Sequence, residues 1–170
     1  MSFASGTGAE GPRNPTLSED LDMTPRQIEI VKMSFAKIMP FKDQAAELFY
    51  CRLFELDPSL RLMFRPDMEE QKQKLMVAIA LVVTNLDKLD NLLPTVRVLG
   101  QRHKSYGVRN RHYELVGAAL LWTLEIGLGT GWTDELAEAW KNAYGRIAAA
   151  MIEGAETPEP ARRPARQAAE

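Results

Sequence analysis

Little in this chain points to metal, disulfide or membrane chemistry. Cys51 is the only cysteine in 170 residues, so an intramolecular disulfide is excluded and a disulfide-stapled secreted scaffold is not expected. The longest unbroken apolar run, Leu75 to Val83, falls far short of the roughly 20 residues a membrane span needs. The N-terminus lacks the charged start and apolar stretch of a signal peptide. The formal net charge is −2 and no basic stripe is legible, so neither a nucleic acid nor another polyanion is the expected partner. Alternating strand patterns and internal repeats are absent. Only two histidines occur, so any histidine-based metal chemistry runs through His103 or His112. A reducing, cytoplasmic setting fits these absences best.

What remains is helical. Residues 1–22 are rich in Gly, Pro, Ser and acidic side chains and read as a disordered N-terminal arm. Residues 155–170, with their Pro/Arg/Ala run, read as a flexible tail. Arg162, Arg163 and Arg166 there make a solvated cluster rather than a docking signal. Residues 23–154 form one domain whose 45% apolar composition, taken over the chain, suffices for a core.

Thr24-Pro25-Arg26-Gln27 carries a capping box with proline in the first turn and opens a helix to Ile38. The spacing predicts further helices over Lys42–Leu56, Pro58–Met63, Met68–Asn85, Asn91–Tyr106, Asn110–Gly127 and from Thr133 to about Glu153. Asn110 is expected to cap the fifth of these, and Gly154 to close the last. Leu75, Ile79 and Val82 share one face. Met63, Met68 and Met76 read as packing residues. Cys51 reads as an inert buried thiol, and His112 as a surface or helix-start residue.

A histidine in the second half of an all-helical domain can ligate iron through one imidazole nitrogen, provided an acceptor orients the other. The segments around His103 make that reading specific. Leu48-Phe49-Tyr50-Cys51-Arg52-Leu53-Phe54 and Asp57-Pro58-Ser59-Leu60-Arg61-Leu62-Met63-Phe64 come first. Then follow Gln71-Lys72-Gln73-Lys74-Leu75, His103 with Gly107-Val108, and His112-Tyr113-Glu114-Leu115-Val116-Gly117. Leu120-Leu121-Trp122, Ala139-Trp140 and Ala143-Tyr144-Gly145 complete the set in order. Together they resemble the single-domain bacterial globins and the haem domain of flavohaemoglobins, and more distantly neuroglobin.

The resemblance implies an all-α globin fold of six to eight helices around one haem b (iron protoporphyrin IX). It implies His103 as the iron ligand, Phe64 and Val108 against the haem, and Leu75 as a wall of the ligand pocket. Tyr50 and Gln71 become the distal donors, and Tyr113 the proximal support. Lys74 either reaches a haem propionate or stays solvated, and Arg102 is the weaker candidate for the same contact. A phenol O–H and an amide N–H aimed at a ligand with partial negative charge stabilise it in a low-dielectric pocket, so tight binding and slow release of dioxygen are expected. With glutamine at position 71, no second histidine is expected on the iron.

The family also carries a proximal glutamate. That position falls at about Ala155, so either Glu153 or Glu156 serves or the member is missing. The expected function is therefore reversible binding of dioxygen for storage, delivery or scavenging. Other diatomic ligands (nitric oxide, carbon monoxide) and sulfide also suit the pocket. The alternative is nitric oxide dioxygenase activity fed by a separate electron donor or reductase, because only a short tail follows the last helix. A gas or redox sensor is the third reading, and a monomer or homodimer is expected.

Overall fold

Six α-helices and four short 3-10 segments follow one another in the computed structural model, which describes residues 22–157. The expected N-terminal arm and the tail beyond residue 157 lie outside the described residues. The helices are α1 (Pro25–Ile38), α2 (Lys42–Leu56), α3 (Met68–Thr84), α4 (Leu89–Ser105), α5 (Asn110–Leu128) and α6 (Asp134–Glu156). No strand occurs among the described residues, and no helix there is long and apolar enough to cross a membrane.

Local chemistry sets most of the boundaries. Thr24 Oγ1 accepts the Gln27 backbone N–H at 3.1 Å while Gln27 Oε1 accepts the Thr24 N–H at 3.0 Å, so the capping box at the head of α1 is closed in both directions. Asp67 accepts the Glu70 N–H at 3.2 Å to start α3, and Thr133 accepts the Leu136 N–H at 3.2 Å to start α6. Asp57 ends α2 and caps the 3-10 turn Pro58–Met63 through the Ser59 N–H at 3.0 Å. Gly107 takes φ +86° after α4, a left-handed conformation that side chains resist.

Three expectations at helix ends need correction. α4 starts at Leu89 rather than Asn91, because the 3-10 turn Leu86–Lys88 runs straight into it, with Leu86 and Leu89 both buried. Pro94 consequently sits inside the helix and removes one backbone donor. Asn110 does not cap α5. The cap is Arg109, whose N–H donates to Nδ1 of His112 at 3.1 Å. Gly154 does not end α6, which runs on to Glu156.

The main core is shared by α1, α2, α5 and α6. Val31, Phe35 and Ile38 of α1 meet Ala46, Phe49 and Leu53 of α2, Leu120 and Leu124 of α5, and Ala139, Trp140 and Ala143 of α6. The indole N–H of Trp140 is satisfied by Ser34 Oγ at 3.0 Å, and Ser34 in turn donates to the Val31 carbonyl at 2.9 Å. A smaller cluster of Val96, Tyr113, Ala150 and Met151 joins α4, α5 and the end of α6. α4 packs most extensively on α6, and α3 rests on α2 and α1, but no broad contact joins α3 to α4. That pair bounds the site.

Candidate functional site

Tyr50 is buried on α2 inside an aromatic group. Its ring centroid lies 5.1 Å from Phe49, 5.9 Å from Phe54 and 5.5 Å from Phe64, and Phe54 and Phe64 are 5.7 Å apart. The Tyr50 hydroxyl donates to the backbone carbonyl of Gln71 at 3.3 Å, a long bond that joins α2 to the first turns of α3. Burial pushes this hydroxyl up to about 12, so it stays a phenol and a donor at any physiological pH. Tyr50, Phe64 and Gln71, expected on one side of the pocket, are therefore neighbours.

One turn past Gln71, Leu75 and Ile79 line a narrow cavity of ≈ 20 Å³ closed by Phe35, Ile38, Phe49, Leu120 and Leu124. By that measure the space exceeds the roughly 10–15 Å³ one water fills, yet its apolar walls give a water nothing to bind. Thr123, also in the lining, has already donated its hydroxyl to the Ala119 carbonyl at 2.8 Å.

On α4, His103 is half-buried, and its Nδ1 meets the Leu99 carbonyl at 2.9 Å. Only Nδ1–H can donate there, which places the lone pair on Nε2, and Nε2 has no protein partner among the described residues. An imidazole held in that tautomer by a backbone carbonyl is the arrangement a metal-ligating histidine needs. Sequence alone holds the signal for the acceptor, since Leu99 lies four residues before His103 on the same helix.

Behind α4, Tyr113 is buried in the smaller cluster, its hydroxyl raised by burial, and its carbonyl accepts the Tyr144 O–H. Val108 packs partly buried against the same cluster. Lys74 is exposed and ion-paired with Glu70 at 2.8 Å, on the helix surface next to Gln71. Arg102 is exposed. Glu153 pairs with Arg97 at 2.9 Å, and the Ala155 carbonyl accepts from Lys104 at 2.9 Å. No hydrogen bond joins the Tyr113 hydroxyl to a carboxylate among the described residues.

Cys51 corrects an expectation: it is exposed, not buried. Desolvation first, then Glu47 and Glu55, raise its thiol, so it is accessible but weakly ionised. His112 is buried and holds the start of α5, a structural role that its lowered pKa, set chiefly by burial, supports.

The residues present fit a haem. On α4 stands an oriented imidazole lone pair, and on α2 a buried phenol donor beside the Gln71 turn of α3, with no broad contact joining α3 to α4 among the described residues.

Comparison with known proteins agrees with this geometry. Residues 47–151 match the Globin family. The chain is 32% identical over 130 residues to the Flavohemoprotein of Bacillus subtilis (strain 168), covering 75% of this chain and 33% of that protein. It is 30% identical over 146 residues to Neuroglobin-1 of Oncorhynchus mykiss, covering 78% of this chain and 92% of the relative. A bacterial globin from Campylobacter jejuni superposes with a TM-score of 0.68 at 28% identity, covering 78% of this chain and 96% of that one. The chain spans about a third of the length of the flavohaemoproteins it matches. Family match, near full-length likeness to a neuroglobin and the superposition on a bacterial globin lead to one conclusion: this chain belongs to the globin family, whose fold binds haem and oxygen.

Proposed function

We propose that this protein binds haem b between α3 and α4 and holds dioxygen reversibly, with high affinity and slow release. The observation that carries this reading is Tyr50: a buried phenol, kept protonated, whose hydroxyl sits at the Gln71 turn of α3. When bound, the haem supplies the iron at which a diatomic gas is held. His103 would hold the iron through Nε2, with Nδ1–H on the Leu99 carbonyl fixing ring orientation. Tyr50 Oη would donate a hydrogen bond to a bound gas, in surroundings of Phe49, Phe54 and Phe64 that exclude water and strengthen the bond. The Gln71 side chain is the second donor. Phe64, Leu75 and Val108 supply the apolar walls. Tyr113 backs α4 from α5. Lys74 and Arg102 stand at the surface as partners for the propionates, Lys74 by leaving Glu70.

Two observations favour oxygen binding over nitric oxide dioxygenase chemistry. Ala155 stands where the family's proximal carboxylate is expected, and Glu153 is engaged with Arg97. The dioxygenase reading keeps one support, the relation to flavohaemoproteins, and requires an electron donor. Steady nitrate formation with a reductase supplied in trans would establish it.

The reading is tested by the absorption spectrum of the purified protein with one equivalent of haemin, reduced under nitrogen. A broad five-coordinate ferrous spectrum that shifts on adding carbon monoxide is expected. A sharp six-coordinate ferrous spectrum would show an internal distal ligand and overturn the placement of Tyr50 and Gln71.

A further inference from the structure

α4 and α6 lie backbone against backbone at two points. A Cβ built on Gly100 would stand 1.9 Å from the Met151 carbonyl oxygen, and one on Gly154 would stand 2.0 Å from the Arg97 carbonyl oxygen. Real side chains do not reach such distances, so each helix carries one glycine that receives the other's carbonyl. The pair is reciprocal. It fixes the separation of the helices and their register along one another. Two polar ties flank it: Arg97 Nε to Glu153 at 2.9 Å on one side, and Lys104 Nζ to the Ala155 carbonyl at 2.9 Å on the other.

His103 lies inside this frame. It follows Gly100 by three residues and precedes Lys104 by one, and its ring is held by the carbonyl of Leu99, the neighbour of Gly100. Toward α3 no broad contact constrains α4 among the described residues. The position of the imidazole is thus inherited from α6.

We propose that the two-glycine clamp, closed by Lys104 on the Ala155 carbonyl, is the positioning device for the haem ligand of this chain. It sets where the His103 imidazole stands relative to α6 and how its ring is turned, a task for which no carboxylate is present at residue 155. The inference rests on the reading of His103 as the iron ligand. Gly100, Gly154 and Lys104 are positioning residues, since none touches the cofactor or the gas in this arrangement. Adding a methyl at residue 100 or 154 forces α4 off α6 and displaces His103. Loss of the Lys104 tie frees the last turn of α4 without crowding it.

The test is the iron–histidine stretching band in the resonance Raman spectrum of the ferrous, haem-loaded full chain under nitrogen. Gly100→Ala and Gly154→Ala are expected to shift the band. Leu136→Ala, a buried truncation at the far end of α6, is expected to lower Tm and leave the band in place. Equal losses of Tm with an unmoved band in all three would overturn the proposal, because the glycines would then serve packing alone. Should the glycine variants not fold, Lys104→Met decides: a shifted band that Lys104→Arg restores supports the clamp, and an unmoved band overturns it. Absence of the band in the unsubstituted protein is a different result. It removes His103 as ligand and with it the proposed function.

Discussion

At the scale of single residues, two polar side chains show how burial decides role. Tyr50 is shielded enough to remain a donor, and its partner among the described residues is a carbonyl at 3.3 Å, so its O–H is free to turn toward a better acceptor. Replacing Tyr50 by Phe removes a hydrogen bond to a charged ligand, which contributes about 1.5–3 kcal/mol. Dioxygen release is expected to speed up roughly ten- to hundredfold, as read by stopped-flow displacement with carbon monoxide. An unchanged off-rate would place Tyr50 outside the ligand pocket.

His112 works through proton linkage. Nδ1 accepts the Arg109 N–H, burial lowers its pKa first of all, the positive neighbours Arg111 and Arg109 act in the same direction, and Asp57 opposes them. The folded protein therefore holds His112 neutral while the unfolded chain protonates near the ordinary value of about 6.5. Its contribution to stability is complete above that value and is lost as pH falls through the lower, folded-state pKa. Tm should drop as pH falls below about 6.5. In His112→Gln, whose amide oxygen can still accept at the same helix position, part of that slope should vanish. An identical pH profile would show that His112 does not carry it.

At the scale of elements, most of the fold was legible in the sequence because it is written in short-range chemistry. The Thr24–Gln27 box and Thr133 each announce a helix within four residues, and the structure closes both. The errors have two causes. The cap of α5 is local but unusual, a backbone N–H held by a histidine three residues on, whereas the start of α4 and the length of α6 are decided by packing. Leu86 and Leu89 are drawn in by burial, and Gly154 is helical because Arg97 needs the space. The exposure of Cys51 failed in the same way. Its neighbour Tyr50 faces inward, but only the packing shows that the next position along α2 meets solvent.

Gly107 offers a test at this scale. It sits at φ +86° with no atom near an added Cβ, so Gly107→Ala isolates the backbone cost of a left-handed residue. The expected loss is about 1–2 kcal/mol, measured as a lower urea midpoint at unchanged slope. A neutral substitution would show that the turn after α4 relaxes freely.

At the scale of the whole molecule, the candidate site was largely readable in outline. Tyr50, Phe64 and Gln71 are neighbours across α2, the following corner and α3, and His103 carries its acceptor four residues upstream. What could not be read was what holds α4 in place. That depends on which backbone atoms of α6 it touches, and no side-chain pattern records a carbonyl packed on a glycine. A ligand that binds only the folded state stabilises it by mass action, about 4 kcal/mol at a thousandfold excess over Kd. Haemin should therefore raise Tm, and His103→Ala should remove most of the increase. An equal gain in both proteins would mean that haem is held by apolar contacts alone.

The absence of a broad α3–α4 contact has a consequence for motion. In the haem-free chain α4 is held along α6, whereas α3 is fastened chiefly to α2 and α1, so α3 is the helix that can peel away as a unit while α2 and α5 stay folded around Phe49, Leu53, Leu120 and Leu124. Amide hydrogen exchange should then be fast across residues 68–84 without haemin and slow with it, while residues 110–128 change little. Uniform exchange in both states would mean that the two flanks open together. On this view the cofactor acts as a keystone: the supply of haem sets the fraction of chains that are shut, and a chain starved of haem exposes the inner face of one helix.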